Sequence, residues 1–223
     1  MTLTEPTTEV EMPLSRAMRE GSAAEHEAAE GSAFLTELLG GRLTRPAYVA
    51  YLVHLRVVYA ALEASLDEHA AHPAVAAVHD PALARVARID ADLAWWTADT
   101  SLPEAGPAAR AYAARIAAAR DEPTLLVAHH YTRYLGDLSG GQVVGHGLAR
   151  VYDLPRRGEG LSFYSFAEVG KPKPYKDAYR ARLDALPLGP VDQEAVVEEV
   201  RAAFRHNRAV FAELAQLMPA WRV

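Results

Sequence analysis

Two short runs carry side chains whose types and spacing suit chemistry. In AEHEAAE, residues 24–30, His26 stands between Glu25 and Glu27, and Glu30 follows it by four positions. On a helix that spacing puts Glu30 one turn along the same face. A metal-ligating imidazole gives its other ring N–H to a carboxylate, a carbonyl or water, so His26 with Glu30 reads as a ligand and its hydrogen-bond partner. Arg19, seven residues earlier, falls on that face as well. The same spacing also describes a solvated helix surface laced with ion pairs, and the residues alone leave both readings open.

The second run is HHYTRYLGDLSGGQVVGH, residues 129–146, with Asp137 set among Gly136, Gly140 and Gly141. A glycine inside a helix costs about 1 kcal/mol relative to alanine. Projected as a helix over 122–150, Ala128, Tyr131, Leu135 and Leu138 form a core face. Arg133, Gly136, Asp137, Gly140 and Gly141 share another side, nearly bare of side-chain volume. A large flat ligand can press against such a surface. Small-residue helix packing and a plain SGG loop are the alternatives. The clustering of the glycines, and an acid that is awkward in a dry contact, weigh against both. GDLSGGQV lacks the Lys-Ser/Thr ending of a phosphate loop.

Composition removes other chemistries. The chain has 223 residues and no cysteine, which excludes disulfides, thiolate nucleophiles, cysteine zinc sites and iron–sulfur ligation. No histidine has a glutamate three residues ahead of it, so the Glu-x-x-His pairs of di-iron bundles are missing. A net charge of -6 argues against a nucleic-acid binder that relies on general attraction. No uninterrupted apolar run of membrane-spanning length is evident, and the polar, acidic N-terminus lacks a signal-peptide pattern. A soluble cytoplasmic protein is the expectation.

The elements that must position these residues are helical. The spacing predicts helices near 14–30, 32–40, 45–70, 81–98, 107–119, 122–150, 172–185 and 190–216. Pro46 and Pro123 open two of them, and Gly40-Gly41 closes another. Residues 1–13 read as a flexible lead-in, and 14–223 as one all-α domain.

Taken together, the chain resembles the haem oxygenases. The match centres on LLVAHHYTRYLGDLSGGQV at 125–143. It is joined by AEHEAAE, VYAALE at 58–63, YKDAYRARL at 175–183 and AFRHNRAVFAEL at 203–214. The likeness covers most of residues 14–216 in the family's order.

That resemblance implies a multi-helix fold with haem b sandwiched between a proximal helix and a kinked distal helix. The kink is expected at Gly140-Gly141. His26 would ligate the iron, with Glu30 as its hydrogen-bond partner. Gly136 and Gly140 would border the oxygen site. Asp137, with Tyr59 and Arg133, would hold a water network that supplies protons for oxygen activation. Arg19, Tyr131, Lys176 and Arg180 would meet the haem propionates. Phe204 and Phe211 would be pocket wall or plain core, and Asn207, on the same stripe, would anchor the water network. A lysine is common in the family where this chain has Arg19, so the charge is kept while the geometry changes.

The implied reaction degrades haem with dioxygen to biliverdin, expected as the α isomer, carbon monoxide and ferrous iron. Electrons would come from a ferredoxin, a flavodoxin or a flavoprotein reductase, with Arg156, Arg157, Lys171 and Lys173 as a docking rim. The Ala-Trp-Arg-Val ending has no hydrophobic tail, as in soluble bacterial members without a membrane anchor. Iron acquisition and bilin supply both fit that chemistry. A haem carrier or sensor is the alternative, although storage requires no proton-delivering acid. A thiaminase-like helical enzyme would need the cysteine this chain lacks.

Overall fold

The computed structural model describes residues 12–98, 102–155 and 158–223, and for Glu30 the backbone alone. Among the described residues there are eleven α-helical elements: α1 Leu14–Gly21, α2 Ala23–Glu30, α3 Ala33–Leu39, α4 Arg45–Glu68, α5 Pro73–Ala76, α6 Val86–Thr97, α7 Pro107–Ala118, α8 Leu126–His130, α9 Gln142–Val151, α10 Pro172–Asp184 and α11 Pro190–Leu217. Among the described residues there is no strand, only a bridge between Leu43 and Arg222.

The centre is α4. Its apolar residues recur on nearly every side, so α6 and α7 pack against it and Tyr48, Leu52, Tyr59 and Leu62 are fully enclosed. By length and composition it could cross a membrane, although Arg56 interrupts its apolar run. In this fold 67% of that apolar window is buried in protein, as expected of the core helix of a globular domain. The long α11 crosses α1, α2, α7 and α8 and so joins the two ends of the chain to the middle.

The expected helix over 14–30 is two helices. Ser22 adopts φ −116° and ψ 14°, and its hydroxyl donates to the Met18 carbonyl at 2.7 Å. Gly21 lies so close to α11 that a Cβ there would sit 2.5 Å from Val197 Cγ1. Close approach to α11 therefore bends the chain between Arg19 and His26, and the two no longer share one continuous helical face. A short α5 also fills part of the interval between the helices expected at 45–70 and 81–98.

Between α8 and α9 the chain keeps helical dihedrals but winds as π-helix over Tyr131–Leu135 and Asp137–Gly141. The irregularity expected at Gly140-Gly141 takes this form, and it begins more than two turns earlier, at Tyr131. Each i→i+5 turn takes in one more residue than an α-turn, which shifts the phase of everything that follows.

Candidate functional site

The phase shift decides where the polar residues point. Arg133 and Asp137 are turned inward and buried, while Gly136 and Gly140 lie on the exposed side. The single bare face expected from an α-helical projection is thus split into a charged inner pair and an open glycine pair. A Cβ built on Gly136 or Gly140 meets nothing within 4 Å, whereas one on Gly141 would meet the Asp137 side chain at 3.4 Å.

The inner pair builds a compact network. The Tyr59 hydroxyl, brought by α4, donates to Asp137 Oδ2. Arg133 Nε donates to the Tyr59 oxygen at 3.2 Å, and its Nη1 donates to Asn207 Oδ1 of α11 at 2.7 Å. Arg133 Nη2 lies 3.8 Å from Asp137 Oδ1, and the guanidinium carbon stands 5.0 Å from the centre of the Tyr59 ring. Burial raises the proton affinity of Asp137, and the opposing pull of Arg133, the Tyr59 hydrogen bond and Arg85 does not reverse it. Burial works against the charge on Arg133, but Tyr59 and Asp137 outweigh it and the guanidinium stays charged. An acid with raised proton affinity beside a fixed cation and two hydroxyl or amide partners can hold a proton and pass it on.

Tyr112 of α7 belongs here and was not legible in the sequence. Its hydroxyl is buried without a hydrogen-bond partner among the described residues, and the charges of Arg133 and Asp137 both act on it. His206 of α11 stacks on its ring at 5.3 Å and 11°. Buried hydroxyls left unpaired by protein are where ordered water is recruited. Tyr51 stands in the same field: burial raises its pKa to about 12 while Arg133 pulls it down. Both tyrosines lie in apolar helical stripes, where a sequence pattern cannot tell them from core.

The His26 ring is exposed and meets Phe204 edge-on at 5.5 Å and 77°. Phe204 packs in one apolar cluster with Ala29 of α2, Ala128 of α8 and Leu135, so α11 links the histidine helix to the glycine segment. The Glu30 side chain lies outside the described residues. Phe211 is buried in a separate cluster, against Tyr51.

Two of the expected cations act on Tyr131. Burial raises the Tyr131 pKa, and Arg180 and Arg19 both pull it down. Arg19 is exposed and lies 3.7 Å from Glu20. Lys176 donates to Ser139 Oγ at 2.8 Å, and partial burial with Arg180 nearby lowers its pKa. Arg180 bonds Asp177 at 3.2 Å. Lys171 and Lys173 are exposed, and Arg156 and Arg157 lie outside the described residues.

This combination fits a flat, dianionic porphyrin: open backbone for the ring, an accessible imidazole for its iron, and three cations for its carboxylates. The sequence profile of the family described as Heme oxygenase matches residues 12–213. The chain belongs to the haem oxygenase family. It is 37% identical to human heme oxygenase 1 over 210 residues, covering 92% of this chain and 73% of the human one. Among solved structures, heme oxygenase-2 from Synechocystis, in complex with heme and NO, superposes with a TM-score of 0.88 at 34% identity, covering 94% of this chain and 88% of that one. Heme oxygenase from Leptospira interrogans gives 0.85 at 33% identity, covering 91% and 100%. The all-α fold and a haem-degrading oxygenase function follow from this membership.

Behind the site of this haem oxygenase family member lies a buried ionic knot. Glu199 of α11, 2% exposed, accepts from Arg115 Nε of α7 at 2.9 Å and from Nη2, and lies 2.8 Å from His129 Nε2. Burial pushes the Glu199 carboxyl up, but His129 and Arg115 pull it down further, to about 2. The folded-state value is depressed below the ordinary 4.5, so this stabilisation is complete above pH 4.5 and is lost as the pH falls towards 2. Glu199→Gln is expected to remove that part of the acid-unfolding curve, about 2 kcal/mol after allowance for the half-exposed Arg115. Melting curves of the two proteins from pH 6 to pH 2.5 check it, and parallel curves would refute it.

Proposed function

We propose that this chain cleaves haem to biliverdin, carbon monoxide and ferrous iron with dioxygen and external electrons. The observation that carries the reading is the split helix: Gly136 and Gly140 open to space on one side, while Asp137, Tyr59, Arg133 and Asn207 interlock on the other. When bound, haem supplies the iron that activates dioxygen and the ring that is cut.

The protein's own groups bind, orient and move protons. His26 ligates the iron, with Glu30 as its partner, and Phe204 walls the imidazole. Arg19, Tyr131, Lys176 and Arg180 hold the propionates and thereby set the ring's rotation, with the α edge as the expected point of attack. Asp137 holds and delivers protons through water organised by Tyr59, Arg133, Asn207 and Tyr112. An acidic ferredoxin or flavoprotein would deliver electrons over the rim of Lys171 and Lys173. The protein is proposed to work in the cytoplasm.

The test is a single turnover. Purified protein is loaded with haem and given ascorbate and catalase in air, with the Soret band and the biliverdin region followed together. Soret loss with biliverdin appearing supports the reading. A stable Soret with ascorbate and with a protein reductant would leave a haem carrier.

Gly140→Leu probes the open face separately. No protein atom occupies the space its Cβ enters, and leucine is the better helix former by nearly 1 kcal/mol. The melting temperature is expected to hold or rise while haem affinity falls by about tenfold or more, a loss of 1.4 kcal/mol. Unchanged affinity would remove the glycine face from the binding site.

A further inference from the structure

Lys176 and Arg180 can orient a dianion only if α10 itself is held in place. Four other ties fix that helix, and three of them are at its margins. Tyr175 donates to Asp80 Oδ2 at 2.7 Å, Arg182 Nε donates to the Ala77 carbonyl at 2.6 Å, and Asp184 accepts from the Ser15 backbone N–H and hydroxyl at 2.8 and 3.0 Å. The fourth is different. The Tyr179 hydroxyl and His130 Nδ1 share a hydrogen bond of 2.9 Å, with both residues fully enclosed. Their rings stack at 5.5 Å and 16°, and Tyr134 closes on His130 at 4.5 Å.

The placement of this pair is specific. Tyr179 lies three residues after Lys176 and directly before Arg180, between the two cations. His130 is the last residue of α8, at the point where π-winding begins and next to Tyr131. Burial, helped by His79 and Arg182, holds the His130 pKa down to about 3, so the imidazole is neutral and the bond does not change over the physiological range. Two apolar side chains would fill this space without the cost of desolvating a hydroxyl and an imidazole. What a buried directional bond adds is a single allowed register between two helices. Among the described residues the other polar tie from α10 to the glycine segment is Lys176 to Ser139, a surface contact through the very group that would turn to a carboxylate.

We propose that the His130–Tyr179 pair is a positioning element for the cationic anchors: it locks α10 to the glycine helix and so sets where Lys176 and Arg180 meet the substrate's carboxylates. The proposal deepens the haem reading above and rests on it. His130 and Tyr179 act through Lys176 and Arg180 and do not touch the substrate.

The test separates carboxylate recognition from ring binding and from iron ligation. The full-length protein without haem is titrated with metal-free protoporphyrin IX and with its dimethyl ester, read by porphyrin fluorescence. The ratio of the two affinities measures anchoring of the carboxylates, with no iron for His26 to bind. The wild-type chain is expected to prefer the free acid. His130→Ala and the milder Tyr179→Phe should each reduce that preference about tenfold and leave ester affinity unchanged. His130→Asn, whose side-chain amide can stand where Nδ1 stood, should restore it.

An unchanged preference in both variants overturns the proposal. So does an equal loss for acid and ester, which marks a general loosening of the core. Tyr179→Phe keeps the test valid if His130→Ala does not fold. Failure of the haem reading is seen elsewhere, in single turnover by the wild-type chain, so the two failures are distinguishable.

Discussion

Asp137→Ala is expected to bind haem and to lose biliverdin formation by about 100-fold or more, the scale on which a positioned acid contributes to a proton-dependent step. The carboxyl is buried, its proton affinity is raised by that burial, and among the described residues its side-chain partners are Tyr59 and Arg133. None of the residues assigned to haem ligation or propionate contact depends on it. Removing one member of a buried charged pair costs about 3–5 kcal/mol when the partner is stranded. Here Arg133 keeps Asn207 Oδ1 and the Tyr59 hydroxyl as acceptors, so the variant should melt lower yet remain folded. Haem titration and single-turnover product analysis on the same preparation decide the matter. Full turnover by the variant would refute proton delivery by Asp137.

The second large effect is expected at His26. His26→Ala should weaken haem binding by more than about 10-fold, since even the loss of a ligand's hydrogen-bond partner costs about 10–100-fold in metal affinity. Added imidazole should restore the wild-type absorption spectrum in part, because the space left by the ring opens to solvent. The contact with Phe204 makes the role geometric as well as chemical: α11 holds the ring edge-on and limits its rotation. An unchanged spectrum in His26→Ala would show that another side chain is the ligand.

These two residues also show how far each kind of information reaches. His26 was legible as a candidate ligand because a histidine flanked by acids, with another acid one turn on, is a local pattern that survives any tertiary arrangement. Its former companion on that face, Arg19, was misplaced because Gly21 packs on Val197 and the helix bends at Ser22. No local pattern reports a contact with a helix that begins 169 residues later. Even so, the charge of Arg19 still acts on Tyr131 from its new position, as that of Arg180 does.

The sequence by itself determined the helices and their order. Apolar spacing, proline starts and glycine stops act within one or two turns, and α3, α4, α7, α10 and α11 lie within a few residues of where those signals put them. It also marked which segment to read as the candidate site, since clustered glycines around a lone acid are costly wherever they are placed. What only the tertiary structure decided is the direction each of those residues faces. An α-helical projection uses one fixed angle per residue. Two stretches of π-winding change that angle inside the segment that matters, turning Asp137 and Arg133 in to Tyr59 and Asn207 and leaving Gly136 and Gly140 open. Tyr112, His130, Tyr179 and Glu199 stayed hidden for a related reason. In the sequence they are ordinary members of helical stripes, and their roles exist only where helices from distant parts of the chain bury them against one another.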